Sequence, residues 1–352
     1  MVTSNVYLVT GGAGFVGSHL VQRLLELNLG QVILLDNFND YYSPLIKQRN
    51  VELIQTRFPS HVLDRSLIVI RGSINDVELL QMIFNKYQIT HIAHLAVSLK
   101  LIKLSRSTSD DFQALAGVRS STTQTGKYME INYAGTQNLL DLAVAHKITQ
   151  FVFASTSSVY GQTDNLPFVE SDSCAQPLSP YAATKRAAEI LAHVYNNIHG
   201  LNVTILRLFN VYGPRGRPDM MPFKLMRAAI DSSCIVDVFD DGEIKRDWTY
   251  IDDVVDGFVN ALKIPLGYEI INIGCGNPLK LSTFIEYIEH LSGKRISKRA
   301  MESHKTEPSI TYCDNSKARE LLGFTPKTTV REGLEKTWNW FREEYAIDDD
   351  SE

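Results

Sequence analysis

The chain has 352 residues, of which 44% are hydrophobic and 21% charged, which is typical of a globular protein with one large domain or two unequal ones. A formal net charge of -5 gives no basic excess for binding a phosphate backbone, so nucleic acid is not an expected partner. The sequence has no run near the roughly 18 apolar residues of a membrane helix, and Met1–Thr10 lacks a signal-peptide pattern. A cytoplasmic protein without membrane contact is therefore expected.

The cysteines and histidines do not predict a metal site. The four cysteines form no Cys-x-x-Cys pair and are widely scattered, at Cys174, Cys234, Cys275 and Cys313. The nine histidines include no His-Glu-x-x-His spacing. We therefore expect neither a bound metal nor a disulfide framework.

The first two-thirds of the chain alternates short β-branched runs with helical patterns. The predicted strands are Val6–Thr10, Val32–Asp36, Leu67–Arg71, His91–Ala96, Phe151–Ser155 and Val203–Leu208. Apolar residues recur at helical spacing between most of them, as in Tyr128–His146 and Pro180–Ile198. This alternation predicts an α/β fold with a doubly wound parallel sheet of the Rossmann type.

Beyond about Gly213 the pattern breaks into shorter pieces. The predicted elements there are strands Val236–Phe239 and Ile270–Ile273 and helices near Ser282–Leu291 and Arg331–Glu343. We expect a dinucleotide-binding domain over 1–212 and a smaller substrate-binding α/β lobe over 213–345, with some segments returning to the sheet. Residues 346–352 are expected to form an acidic tail.

A glycine-rich turn follows the first predicted strand and precedes a helical pattern at Ser18–Leu27. Glycines at positions 11, 14 and 17 permit a tight turn, close approach of a pyrophosphate and close packing of helix on strand. Asp36 ends the second strand, where a carboxylate accepts hydrogen bonds from ribose hydroxyls and repels a 2′-phosphate. Its neighbours Asn37 and Phe38 provide no arginine for such a phosphate, so the pattern favours NAD over NADP.

Tyr181 and Lys185 are the candidate catalytic pair. Their spacing of four places both side chains on one face of a helix, and an ammonium nearby favours the tyrosinate needed for base catalysis. The hydroxyl cluster Ser155–Gly161 at the end of the fifth strand can position a sugar hydroxyl against the tyrosine.

These motifs together resemble the extended short-chain dehydrogenase/reductase superfamily, and within it the nucleotide-sugar epimerases, especially UDP-glucuronate 4-epimerases. The finer resemblance rests on three stretches: Asp36–Tyr42, Tyr212–Met220 and Lys245–Asp253. It implies NAD-dependent 4-epimerisation of a UDP-sugar through a transient 4-keto intermediate, by a homodimer that pairs the Tyr128–His146 helix and the helix carrying Tyr181 across subunits.

The resemblance also implies roles for individual residues. Thr156, Tyr181 and Lys185 are the expected catalytic group, and Lys185 also holds the cofactor ribose. The expected cofactor contacts are Gly11, Gly14, Phe15, Val16, Gly17, Asp36, Asn37, Ser73, Ile74, Leu95, Ala96, Tyr181 and Lys185. The expected substrate contacts are Ser157, Ser158, Asn210, Arg217, which faces a sugar carboxylate, and Arg246, which contacts the UDP phosphates.

Neighbouring reactions differ in the residues that follow Thr156. Related dehydratases carry Asp-Glu there and related decarboxylases a glutamate, whereas this chain has Ser157 and Ser158, which favours epimerisation. Asn210 stands where glucuronate epimerases usually have threonine, which leaves UDP-glucose 4-epimerisation as an alternative. Ser73 replaces an aspartate expected after Gly72.

An insertion at about 97–113 separates His94-Leu95-Ala96 from Ala116-Gly117-Val118-Arg119. In relatives the second of these segments follows the first almost directly. In relatives this edge borders the nicotinamide and the sugar. The open alternatives are an active epimerase, a protein that binds NAD and a UDP-sugar without turnover because of this insertion, and another reaction of the superfamily such as dehydration or decarboxylation.

Overall fold

The computed structural model describes residues 5–96, 121–122, 125–301 and 308–345. The predicted insertion at 97–113 and the predicted acidic tail at 346–352 lie outside these residues. No helix in the described ranges is long and apolar enough to cross a membrane.

A seven-stranded parallel sheet forms the centre of the molecule, in the order β11-β6-β5-β4-β1-β2-β3. Its strands are β1 (Asn5–Thr10), β2 (Gly30–Asp36), β3 (Leu67–Arg71), β4 (His91–His94), β5 (Gln150–Thr156), β6 (Val203–Leu208) and β11 (Tyr268–Ile273). The doubly wound sheet predicted from the sequence is confirmed, and the Ile270–Ile273 prediction corresponds to β11, which returns to the sheet beside β6.

The sheet is buried on both faces, which explains the nearly continuous apolar runs of its strands. Successive side chains of β1 alternate between two separate cores: Tyr7 and Val9 face one, and Val6 and Leu8 face the other. Helices cover both faces, as the alternation of strands and helical patterns requires.

The helices of the first two-thirds are α1 (Phe15–Glu26), α2 (Pro44–Arg57), α3 (Pro59–Leu63), α4 (Val77–Lys86), α5 (Thr125–Tyr128), α6 (Gly135–Ala145) and α7 (Pro180–His199). A π-helical turn, Met129–Ala134, joins α5 to α6, so the predicted continuous helix Tyr128–His146 contains an irregular segment. Helix α7 begins cleanly because the Ser179 side chain accepts a hydrogen bond from the Ala182 amide and Pro180 follows it.

The remaining elements form three small sheets and their flanking helices. Strands β7 (Asn210–Tyr212) and β10 (Trp248–Tyr250) pair, as do β8 (Val236–Phe239) and β13 (Lys298–Met301), while β9 (Lys245–Arg246) lies between β12 (Leu279–Lys280) and β14 (Ile310–Thr311). The helices are α8 (Met221–Ile230), α9 (Ile251–Lys263), α10 (Leu281–Ser292), α11 (Ser316–Leu322) and α12 (Val330–Glu344). Helix α9 packs on the central sheet against β4, β5 and α1, and α11 packs beside β11. Arg246 of β9 and Thr311 of β14 line the cleft.

Candidate active site

A cleft of about 460 Å³ opens at the carboxyl ends of the central strands. Because the chain leaves β1 toward β2 on one side while β4 lies on the other, the crevice at their ends is the expected ligand site of such a sheet. The predicted site residues that line it are Gly11, Gly14, Phe15, Val16, Gly17, Asp36, Asn37, Ser73, Ile74, Leu95, Ala96, Thr156, Ser157, Ser158, Tyr181, Asn210, Arg217 and Arg246. Lys185 alone among the predicted residues does not line it.

The glycine turn at the end of β1 is shaped by backbone contacts that side chains would block. Gly11 has a φ of 70°, and a Cβ on it would stand 2.9 Å from the Ala96 nitrogen. A Cβ on Gly17 would stand 2.1 Å from the Gly11 carbonyl oxygen. All three glycines line the cleft, and Gly14 stands at the start of α1, where free amide groups and the helix dipole favour a pyrophosphate. The turn therefore fits a dinucleotide.

Asp36 is held at the end of β2 in a buried carboxylate site. Its oxygens accept hydrogen bonds from the Phe38 amide (2.8 Å) and the Ala13 amide (3.2 Å). The Lys47 ammonium lies 3.3 Å from the same carboxylate, with both side chains almost fully buried. Burial lowers the pKa of Lys47, and the Asp36 charge opposes that shift. Lys47 was not predicted from the sequence, because the local sequence does not distinguish it from an ordinary solvent-exposed lysine near the start of a helix.

Thr156 and Tyr181 both line the cleft and interact with each other. Thr156 ends β5, and its hydroxyl accepts a hydrogen bond from the Ser158 amide at 3.1 Å while it donates to the Ser158 hydroxyl, also at 3.1 Å. Burial raises the pKa of Tyr181, whereas the charge of Arg217 and a hydrogen bond with Thr156 oppose that shift. The tyrosine by itself is therefore a neutral phenol at physiological pH.

The ammonium of Lys185 is held against the end of β5. It donates to the Ala154 carbonyl oxygen at 2.8 Å and lies 4.5 Å from the centre of the Phe153 ring. Burial lowers the pKa of Lys185 to about 7, and the charge of Glu189 opposes that shift. The role of Lys185 in favouring tyrosinate and holding the cofactor ribose stays a prediction, and the ammonium lies at the end of β5, behind the residues that line the cleft.

Behind the residues that line the cleft lies a buried ion pair that sequence reasoning also missed. Glu189, two turns after Tyr181 in α7, accepts hydrogen bonds from Arg207 of β6 at 3.1 and 2.8 Å. It also accepts from the Ser155 hydroxyl at 2.5 Å. Since Ser155 precedes Thr156, one carboxylate fixes both the strand end and the helix that carry the candidate catalytic residues. The sequence feature that could have identified Glu189 is its spacing of four residues from Lys185 and eight from Tyr181, which places all three on one helix face.

The two arginines predicted to contact substrate also line the cleft. Arg246 of β9 donates to the Lys245 carbonyl oxygen at 2.9 Å. Arg217 pairs with the carboxylate of Asp219 at 2.9 and 2.6 Å. Asn210 opens β7 next to them. The cleft is therefore lined by two guanidinium groups as well as by Thr156 and Tyr181.

Among the described residues that line the cleft, Asp36 alone carries a carboxylate. It stands at the end of β2, whereas Thr156 stands at the end of β5, three strands away in the sheet. The turn after Thr156 is a 3₁₀ helix, Ser157–Tyr160, whose first two residues offer only hydroxyls to the cleft. The described wall around Thr156 therefore offers no acid for the expulsion of water from a sugar.

Comparisons with known proteins agree with this geometry. The family model described as GDP-mannose 4,6 dehydratase matches residues 8–337. A UDP-glucuronate 4-epimerase of Thermodesulfobacterium geofontis is 39% identical over 97% of each chain.

Solved structures with the same fold include two of direct interest. The UDP-glucuronic acid 4-epimerase of Bacillus cereus, in complex with UDP-glucuronic acid and NAD, is 34% identical with a TM-score of 0.79, covering 97% of this chain and 100% of the other. The dTDP-glucose 4,6-dehydratase DesIV of Streptomyces venezuelae, with NAD bound, is 28% identical with a TM-score of 0.82, covering 98% and 99%.

Proposed function

This chain belongs to the GDP-mannose 4,6-dehydratase family of NAD-dependent epimerases and dehydratases, and we propose that it catalyses 4-epimerisation of a UDP-sugar, converting UDP-glucuronate to UDP-galacturonate. The observation that carries this proposal is the meeting of Tyr181 and Thr156 beside the glycine turn, with Ser157 and Ser158 where an eliminating enzyme needs acids. Residues 1–212 would hold the cofactor and residues 213–345 most of the substrate.

The chemistry requires a base at the sugar O4 and a hydride acceptor at C4. NAD, when bound, accepts the C4 hydride and returns it to the other face of a transient 4-keto sugar. Tyr181 takes the O4 proton and gives it back, while the Thr156 hydroxyl bridges O4 and the phenol. Lys185 holds the nicotinamide ribose and stabilises the tyrosinate.

The raised pKa of Tyr181 fits this scheme. A desolvated neutral phenol becomes a stronger base when further positive charge is added beside that of Arg217. The nicotinamide cation adds such charge, and Lys185 adds more if it turns from the Ala154 carbonyl toward the ribose. Base strength would then arise only in the complex with cofactor, where the hydride acceptor is also present.

Two observations bear on the sugar. Arg217 lines the cleft and offers a guanidinium for a sugar carboxylate, which supports UDP-glucuronate. Asn210 also lines the cleft. Asparagine at this position resembles the pattern of the neutral-sugar epimerases, which makes UDP-glucose 4-epimerisation the second candidate. Arg246 would serve either substrate, because its expected contact is with the UDP phosphates, which UDP-glucuronate and UDP-glucose share.

We further propose a homodimer built on α7 and the helical segment Thr125–Ala145. Ile190, Val194 and Ile198 stand four residues apart on α7 and are 52%, 41% and 65% exposed. A stripe of this kind favours a partner helix.

Sedimentation is expected to give twice the chain mass of 39.6 kDa, and Val194→Glu is expected to give the single mass. A wild-type protein that sediments at the single mass would contradict the dimer. The cytoplasmic location stays a prediction from the sequence.

An NMR time course with saturating NAD tests the reaction. UDP-glucuronate and UDP-glucose are supplied separately, with Tyr181→Phe as the inactive variant. We expect UDP-glucuronate to approach equilibrium with its C4 epimer and Tyr181→Phe to give no turnover. Conversion of UDP-glucose alone would favour the second candidate, and release of water or carbon dioxide would contradict epimerisation.

A further inference from the structure

Two sequence motifs, Asp36–Tyr42 and Tyr212–Met220, meet across the cleft. The Tyr41 hydroxyl donates a hydrogen bond of 2.6 Å to Asp219, 178 residues away in the sequence. Both side chains are buried, at 3% and 7% exposure. The contact joins the loop after β2, which carries the carboxylate expected at the cofactor ribose, to the loop that carries Arg217.

Arg217 is held by this pair along one edge of its guanidinium. Nε lies 2.9 Å and Nη2 2.6 Å from the two oxygens of Asp219, and Nη2 also donates to the Tyr41 oxygen at 3.3 Å. The guanidinium carbon lies 5.2 Å from the centre of the Tyr41 ring. Within the described residues Nη1 has no protein partner, and the side chain lines the cleft with 24% exposure.

We infer that Tyr41 and Asp219 are positioning residues, which hold Arg217 so that its Nη1 side meets the carboxylate of an acidic sugar. The inference rests on the proposed function. An arginine side chain loses much rotamer freedom when it binds a ligand, and here the protein has already fixed it. A preorganised guanidinium distinguishes a carboxylate from a hydroxymethyl group by direction as well as by charge.

The loop that carries Tyr41 is itself anchored. The Asn39 side-chain oxygen accepts from the Tyr41 amide at 3.4 Å and from the Lys47 ammonium at 2.9 Å. Lys47 in turn lies 3.3 Å from Asp36. A continuous set of polar contacts thus runs from the expected ribose carboxylate to the arginine at the sugar end of the cleft.

The competing view is that Tyr41, Asp219 and Arg217 form a structural ion pair that merely joins two loops. Loss of a purely structural contact would weaken binding of every UDP-sugar alike, or lower stability without any change in selectivity. Loss of a positioning contact would weaken only the sugar that carries the carboxylate. The comparison between two sugars therefore separates these roles.

The test measures the Kd of UDP-glucuronate and of UDP-glucose by calorimetry with saturating NAD. The variants are Tyr41→Phe and the more disruptive Asp219→Asn, and the control is Tyr7→Phe. Tyr7 is also buried with a single side-chain hydrogen bond, from Asn5, but it lies in β1 away from the cleft. We expect each variant to raise the Kd of UDP-glucuronate about tenfold, the loss of roughly one hydrogen bond to a charged group, and to change that of UDP-glucose less than twofold.

A double-mutant cycle completes the test. In an Arg217→Met background, Tyr41→Phe is expected to leave the Kd of UDP-glucuronate unchanged, because the residue it positions is gone. Equal weakening of both sugars, or an effect that persists without Arg217, would overturn the inference. Binding does not require turnover, so an inactive wild-type protein would contradict the proposed reaction without affecting this comparison.

Discussion

Glu189 and Arg207 form a bidentate ion pair in which neither side chain is exposed to solvent. The pair ties α7 to β6, and through Ser155 it also ties α7 to β5. Tyr181 and Thr156 are the residues that these elements bring to the cleft. The position of the candidate catalytic residues thus depends on an ion pair that does not itself line the cleft.

Glu189→Gln is expected to lower the free energy of unfolding by about 3–5 kcal/mol, because it leaves the Arg207 charge buried without a counter-charge. Urea denaturation measures the change. The control is Glu344→Gln, which breaks the exposed pair with Arg49 and is expected to cost less than about 1 kcal/mol. The double variant Glu189→Gln/Arg207→Met should regain part of the loss. Equal stability of Glu189→Gln and wild type would show that the pair does not hold the candidate catalytic residues in place.

Lys185 predicts a pH dependence of stability in the ligand-free protein. Burial lowers its pKa to about 7, whereas a lysine in the unfolded chain titrates near 10.4. Between these values the unfolded chain binds more protons, so the contribution of Lys185 to stability rises with pH over that window. The burial penalty is greatest below pH 7.

Unfolding experiments on wild type and Lys185→Met from pH 6 to 10 check this dependence. The stability of wild type relative to the variant is expected to increase with pH, by at most about 1.4 kcal/mol per pH unit. A difference that stays constant from pH 7 to 10 would mean that Lys185 keeps the pKa of an exposed lysine.

Gly17→Ala is expected to weaken NAD binding at least about tenfold, since its Cβ would lie 2.1 Å from a backbone oxygen and the turn must open. Calorimetric titration with NAD measures the Kd. Gly126→Ala is the control, because a Cβ there meets nothing within 4 Å. An unchanged Kd for Gly17→Ala would show that the turn does not bind the cofactor.

Asp36→Asn is expected to move the cofactor preference from NAD toward NADP, because it removes the repelling carboxylate and leaves the Lys47 ammonium beside the ribose position. The ratio of the two Kd values is expected to change about tenfold or more. The double variant Asp36→Asn/Lys47→Met should lose the gain in NADP binding. A ratio that stays the same in Asp36→Asn would place the ribose away from this carboxylate.

Much of the fold was predictable because apolar runs and glycine turns are local signals. The strands that reach the cleft were placed within a few residues, since their β-branched runs are bounded by turns. The sequence also indicated the side of the sheet on which the cleft lies, because parallel strands share their carboxyl ends.

The pairings inside the site were not predictable in the same way. The contact of Tyr41 with Asp219 spans 178 residues, and that of Asp36 with Lys47 depends on how α2 packs. Helical spacing placed Tyr181 and Lys185 on one face, but it does not say which group the ammonium meets. In the structure that group is the Ala154 carbonyl.

The measurement that tests the central claim most directly follows the hydrogen at C4. UDP-glucuronate that carries deuterium at C4 is converted in ordinary water with catalytic NAD, and the product is analysed by NMR and mass spectrometry. Hydride transfer to NAD and back predicts a C4 epimer that keeps its deuterium, with no net formation of NADH. Loss of the label to solvent, or NADH formed in proportion to sugar consumed, would contradict the account.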